Sequence, residues 1–304
     1  MELIRSAVLD SPARVDEPAR PALRVGLVQH RWRPDLGELR SVLHDGIAQA
    51  AEAGAGIVFL PELTLSKYPA FEDPVGKAVD AAEDLLGGPT VAFAAEAAAR
   101  HRILVHASLY EKVDLGDGLG YNSAILVDES GAVVAKTRKT HLPVTEGYVE
   151  DKYFRPGPAA EAYPVHRFDG VGYGLPTCWD EWFPEVARSY ALAGADVLAY
   201  PTAIGSEPDH PDFDTQPLWQ QVIVGHAIAN GLFMVVPNRT GDEGRISFYG
   251  SSFIVDPYGR ILAQAPRDEE AVLVADLDLD QRRDWLTLFP FLRTRRPDTY
   301  GGLT

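Results

Sequence analysis

The 304-residue chain predicts a mixed α/β layered domain, and three observations carry that expectation. Short apolar strands alternate with amphipathic helices in both halves, two-strand hairpins are interspersed, and no linker rich in Ser, Gly or Pro divides the chain. Hydrophobic residues make up 46%, enough apolar surface for one large core. Residues 1–22 carry Pro, Arg, Asp and Ala without a sustained period. They are expected as a flexible N-terminal arm, and residues 23–304 as a single domain.

Residues 23–29 alternate as a strand does, and 36–53 repeat as an Ala-rich amphipathic helix ended by Gly54. Residues 56–60 are a short apolar strand closed by Pro61 and Glu62. A long helical region is expected over 75–100, broken near Gly87-Gly88-Pro89. Strands follow at 103–107, 122–127 and 132–136, the last reached through the Glu129-Ser130-Gly131 turn. Residues 140–158 mix Gly, Pro and aromatics with no period, which marks a functional loop. Further on come a strand over 195–200, a helix over 218–230 and a strand over 232–236. Strands at 248–255, 261–264 and 271–275 surround an Asp256-Pro257-Tyr258-Gly259 turn, and a helix over 279–285 ends the set.

Composition bounds the function. A single cysteine excludes an internal disulfide and fits a reducing, cytoplasmic setting. No run of about 18 apolar residues predicts a membrane span, and the N-terminus lacks an apolar signal core. The formal net charge of −16 argues against nucleic acid as a partner, because that needs clustered Lys and Arg. It is compatible with a cationic small-molecule substrate, and equally with a surface charged for solubility.

The chemistry centres on residues 170–188. A glycine-laced strand runs through Cys178 into a helix whose first turn suits Pro184. Backbone N–H groups at such a turn are free to hold an oxyanion. Glu62 stands past a buried strand end, where sites of α/β sheets collect; alone, it reads equally as a solvated loop carboxylate. Lys139 stands past another strand, and alone it reads as surface charge. Together the three make chemical sense. A thiol of ordinary pKa, about 8.5, is mostly protonated at neutral pH. Glu62 would take its proton, while Lys139 and an N–H near Trp179 would hold the oxyanion.

A Cys–His pair is the competing device, with His141 and His226 available. Other devices are disfavoured. No Gly-x-Ser-x-Gly elbow supports a serine hydrolase, and no Cys-x-x-Cys or closely spaced His pair offers a metal site. Gly116, Gly118 and Gly120 precede a strand instead of opening a helix, so they form a turn and not a phosphate loop.

The segments Phe-Leu-Pro-Glu at Glu62, Arg-Lys-Thr-His-Leu-Pro at Lys139 and Cys-Trp-Asp-Glu-Trp-Phe-Pro-Glu at Cys178 resemble the nitrilase superfamily of carbon–nitrogen hydrolases. The resemblance runs from about Leu23 to Tyr300. It implies a four-layer α-β-β-α sandwich, paired through its helices into a homo-oligomer, with no metal or organic cofactor. By motif position it makes Glu62 the general base, Lys139 the stabiliser of the tetrahedral intermediate and Cys178 the nucleophile. A further family glutamate falls on Glu150, in Tyr-Val-Glu-Asp-Lys-Tyr-Phe-Arg-Pro-Gly, where it would orient Lys139 or the substrate. Glu146 and Asp151 lie close enough to compete for that role.

Within the family the chain is most similar to N-carbamoylputrescine amidases, through Tyr-Pro-Thr-Ala-Ile-Gly-Ser-Glu-Pro, Asn-Arg and Phe-Tyr-Gly-Ser-Ser-Phe-Ile besides the cysteine segment. β-Ureidopropionases share parts of this set. The implied reaction is hydrolysis of an N-carbamoyl amine to amine, ammonia and carbon dioxide. An amidase or nitrilase for another small substrate is one alternative, and a non-catalytic binding scaffold is the other. A cationic substrate tail would want a carboxylate, and Asp180, Glu181 and Glu207 are candidates, with Trp179 as a wall. Asp180 and Glu181 read equally as complements to the helix end. Residues 64–73 depart from the family loop that helps line the pocket.

Overall fold

The computed structural model describes residues 1–6, 9–113, 115–145 and 147–303. In chain order its first strands are β1 (Glu2–Arg5), β2 (Leu23–Gln29), β3 (Ile57–Phe59), β4 (Leu104–Glu111), β5 (Tyr121–Val127) and β6 (Val133–Arg138). A short hairpin, β7 (Val144–Thr145) and β8 (Tyr148–Val149), leads to β9 (His166–Phe168), β10 (Val171–Gly174), β11 (Val197–Ala199) and β12 (Phe233–Val236). A second hairpin, β13 (Thr240–Asp242) and β14 (Ser247–Tyr249), precedes β15 (Phe253–Val255), β16 (Ile261–Gln264) and β17 (Ala271–Leu277). The α-helices are α1 (Leu36–Glu52), α2 (Pro89–His101), α3 (Pro184–Leu192), α4 (Gln216–Asn230) and α5 (Gln281–Leu288).

Two sheets result, ordered β1-β17-β2-β3-β4-β5-β6 and β16-β15-β12-β11-β10-β9. The period of two along each strand decides how they stack. Leu27, Ile57, Phe59 and Leu273 face Val197, Ala199, Phe233 and Val235 in one core between the sheets. The intervening Val28 and Val58 point outward, against Leu43, Ile47, Phe93 and Ala97 of α1 and α2. On the far side Leu198, Met234 and Val236 meet Val186 and Tyr190 of α3 and Trp219 and Ile223 of α4. The chain is an α-β-β-α sandwich with three apolar layers between four structural ones, as expected. Strands buried on both faces read as continuous apolar runs, which is why they stand out in the sequence.

Local chemistry fixes the ends. Asp35 caps α1 by accepting the Glu38 N–H at 2.9 Å. Gly26 lets α1 approach β2, since a Cβ there would lie 2.7 Å from the Ala50 Cβ.

Three expectations are corrected. Glu2–Arg5, read as part of a flexible arm, is a strand running parallel to β17. Residues beyond it are tied to the C-terminal half, with Arg14 on Asp278 and Asp284, and Arg20 on Asp196 and Asp280. The helical region over 75–100 is an α-helix only from Pro89 on; before it stand turns and a short 3₁₀ segment, Ala78–Ala81. Pro89 takes the first helical position, where its missing N–H does no harm. The single strand expected over 248–255 is two, because Gly250 and Ser251 adopt φ of 51° and 56° and turn the chain.

Candidate active site

The three residues expected to react follow strand ends that point the same way within their sheets. β3 is parallel to β4, and β6 runs with them because two antiparallel steps separate it from β4. β10, β11 and β12 are parallel in the second sheet. Glu62 follows β3, Lys139 follows β6 and Cys178 follows β10, so both sheets deliver a group to one end of the sandwich.

All of these groups are buried, Glu62 and Lys139 with 0% exposure. The Lys139 Nζ donates to Glu62 Oε1 at 2.9 Å and to Glu150 Oε1 at 2.8 Å. Asn122 Nδ2 donates to the same Glu62 oxygen at 2.7 Å, and the Tyr68 hydroxyl to the same Glu150 oxygen at 2.6 Å. Glu62 Oε2 is buried with no hydrogen-bond partner among the described residues. An orphaned carboxylate oxygen inside a protein is costly unless it has a task, and here it is free to accept a proton.

Burial alone would discharge Lys139, but the adjoining Glu150 and Glu62 carboxylates outweigh it and hold its pKa well above the ordinary value. Burial raises Glu150 to about 7, with Lys139 opposing and Glu62 adding to the rise. Burial also pushes the Cys178 thiol well up, Glu62 adds to this and Lys139 counters it. A thiol so placed stays protonated at neutral pH and would need a base before it could attack.

The cysteine turn is a short 3₁₀ helix, Cys178–Trp182, followed by α3. Cys178 has φ of 22°, a strained value for a residue with a side chain. Its N–H is bound to the Pro201 carbonyl at 3.0 Å, and that of Asp180 to the Thr177 carbonyl at 2.8 Å. Between them the Trp179 N–H makes no hydrogen bond among the described residues. It is the free donor expected for an oxyanion.

A cavity of about 290 Å³ opens onto Cys178, walled by Tyr68, Tyr148, Glu150, Trp179, Trp182 and Glu207 among others. No Lys or Arg is among its wall residues. Glu207 is half-buried, accepts from Thr215 Oγ1 at 3.3 Å, and has its pKa raised by burial.

Two proposed substrate carboxylates do not line this cavity. Asp180 is 1% exposed and takes the N–H groups of Thr177 at 3.1 Å, His141 at 2.9 Å and Thr140 at 3.3 Å. It ties the loop after Lys139 to the turn bearing Cys178. Glu181 is 0% exposed beside Thr202, and burial raises its pKa well above the ordinary value. The Cys–His device is absent too. The His141 Nδ1–H donates to Asp180 Oδ1 at 2.7 Å and its ring stacks on Phe183, and the His226 Nε2–H donates to the Glu181 carbonyl at 3.0 Å. Of the residues competing with Glu150, Asp151 is exposed and Glu146 lies outside the described residues.

Sequence reasoning missed Asn122, Tyr68, Arg239 and Glu243. Asn122 carried a signal, a fully polar residue at the head of an apolar strand. Tyr68 lay in the loop that departs from the family pattern.

Fold and geometry together bring a carboxylate, an ammonium and a thiol to one end of an α-β-β-α sandwich. The carbon–nitrogen hydrolase family matches residues 24–286, and the chain belongs to that family. It is 38% identical over 289 residues to a citrullinase from Francisella tularensis, covering 92% of this chain and 98% of that one. An N-carbamoylputrescine amidase from Solanum tuberosum is 37% identical, with 84% and 86% covered. A carbon–nitrogen hydrolase from Helicobacter pylori superposes with a TM-score of 0.83 at 32% identity, covering 93% of this chain and 98% of that one.

Proposed function

We propose that the chain hydrolyses an N-carbamoyl amine whose far end carries a positive charge, as in N-carbamoylputrescine. The observation carrying this reading is the Glu207 carboxylate on the wall of the cavity that contains Cys178, a wall with no Lys or Arg among the described residues. An ammonium tail would find its counter-charge there, while the apolar wall of Trp179, Trp182 and Leu218 suits a methylene chain.

In the proposed cycle Glu62 Oε2 takes the thiol proton, and the sulfur attacks the ureido carbon. Lys139 and the Trp179 N–H hold the resulting oxyanion. The bond to the terminal nitrogen breaks, ammonia leaves with the proton held by Glu62, and a carbamoyl thioester remains. Glu62 then draws a proton from water, whose oxygen attacks the thioester carbon. The thiolate departs and regains its proton, and the released carbamic acid loses carbon dioxide to leave the amine. Glu150 keeps Lys139 charged and aimed.

A second reading is favoured by the relative from Francisella, whose name gives a ureido amino acid as substrate. Its α-ammonium could meet Glu207, but its carboxylate would face no cation on the wall. A panel of N-carbamoylputrescine, citrulline, N-carbamoyl-β-alanine, short amides and nitriles, scored for ammonia, amine and carbon dioxide, separates these readings. Preference for N-carbamoylputrescine is expected; activity confined to nitriles or to carboxylate-bearing ureides would overturn the proposal. The free thiol supports a reducing, cytoplasmic setting. A homo-oligomer paired through the outer helices is proposed on the family resemblance, and a monomer by light scattering would refute it.

A further inference from the structure

Arg239 and Glu243 form a buried ion pair, 0% and 5% exposed, and neither is among the residues lining the cavity. Their contacts reach both halves of the reactive centre. The Arg239 Nη2 donates to the carbonyls of Glu62 at 2.6 Å, Leu63 at 3.0 Å and Ser66 at 3.2 Å. Leu63 has φ of 48°, a conformation that residues with side chains avoid, and this turn brings successive carbonyls onto one nitrogen. The Arg239 Nη1 donates to Glu243 Oε1 at 2.6 Å, and Glu243 Oε2 accepts the Tyr68 N–H at 3.0 Å. The Tyr68 hydroxyl in turn holds Glu150, which holds Lys139. One guanidinium thus fixes the backbone of the base directly and the carboxylate behind the lysine through a carboxylate and a tyrosine.

The pair is an expensive choice for stability alone. Removing two charges from water often costs as much as their attraction returns, and an apolar pair of the same volume would serve the core as well. What an apolar pair cannot do is bind three carbonyls and an N–H at fixed angles. The planar fork of arginine suits converging acceptors, whereas lysine offers one point charge.

We propose that Arg239 and Glu243, held after β12 of the second sheet, are a positioning pair that sets Glu62, after β3 of the first sheet, in register with the Glu150–Lys139 arm. The inference rests on Glu62, Lys139 and Cys178 being the reacting groups. Displacing such groups by about 1 Å costs on the order of a hundredfold in rate.

The test is steady-state ammonia release by Arg239→Lys and Glu243→Gln, singly and together, normalised to Cys178 titrated by iodoacetamide. The probe is N-carbamoylputrescine, or a short aliphatic amide should the wild type prefer it. Each variant is expected to lose on the order of a hundredfold in kcat while KM stays within about threefold. The double variant should lose no more than the worse single one, because both break the same link. Wild-type kcat per titrated thiol, a loss confined to KM, or losses that multiply would overturn the inference. So would failure of both single variants to fold, which would make the pair a folding requirement. Inactivity of the wild type on every compound would instead sink the proposed reaction.

Discussion

The two ends of the cavity are built differently. At the reacting end, Glu62, Lys139 and Glu150 are fully buried and bound to one another, with Asn122, Tyr68 and Arg239 behind them. At the far end Glu207 is half-buried, held by one hydroxyl, on a loop whose neighbours Asp209 and His210 are exposed. The reacting end is over-determined, so few substitutions there can be neutral. On the proposed reading, the far end would be set by a single charge on an irregular segment, so substrate choice could change while the chemistry stayed.

Substitutions at the two ends should therefore differ in kind as well as size. Cys178→Ala should lose turnover by something on the order of a millionfold, the cost of removing a nucleophile that acts as part of a unit. Ammonia assays on folded protein check this. Lys139→Ala should lower kcat by roughly a hundredfold or more through loss of one oxyanion donor. It should also lower the melting temperature, because the Glu62 and Glu150 carboxylates would be left buried and facing each other. Thermal melts beside kinetics separate the two effects.

At the other end, Glu207→Gln should raise KM for a cationic ureide by about tenfold and leave kcat near wild type, the worth of one partly screened charge contact. A neutral substrate should show no change. Equal losses on both would mean that Glu207 shapes the cavity without reading charge.

The smallest effect concerns pH. Glu150 is held near 7 by burial, above its unfolded value, so its proton stabilises the folded state. That contribution is fully present below about 4.5 and fades as pH rises through about 7. Glu150→Gln removes it, so the variant's melting temperature relative to wild type should rise between pH 5 and pH 8, in about the pKa range that sets the window. A flat difference would show that Lys139 holds Glu150 ionised throughout.

Much of this was legible in the sequence where geometry is local. Buried strands such as Ile57–Phe59 and Phe233–Val236 are apolar on both faces and declare themselves. Glu62, Lys139 and Cys178, whose neighbourhoods the fold brings together, stand out by following strand ends within recognisable segments. Glu2–Arg5 does not, because its partner Ala271–Leu277 lies at the other end of the chain and four residues hold little period. Asp180 and Glu181 were left between two readings, and neither lines the cavity, because nearness in sequence says nothing of direction. A 3₁₀ helix turns a third of a revolution per residue, so Trp179 reaches the cavity while Asp180 points at backbone N–H groups. Arg239 stood in the Asn-Arg segment that carries the resemblance, but its task did not show, because its acceptors are carbonyls from a loop far away in sequence.

The most direct test is peptide mass analysis of wild-type enzyme mixed with excess N-carbamoylputrescine and quenched in acid within the first turnover. A carbamoyl group on the peptide containing Cys178, formed as ammonia appears, is the predicted result. Ammonia release with the carbamoyl group on another residue, or at the wild-type rate from folded Cys178→Ala, would contradict the account.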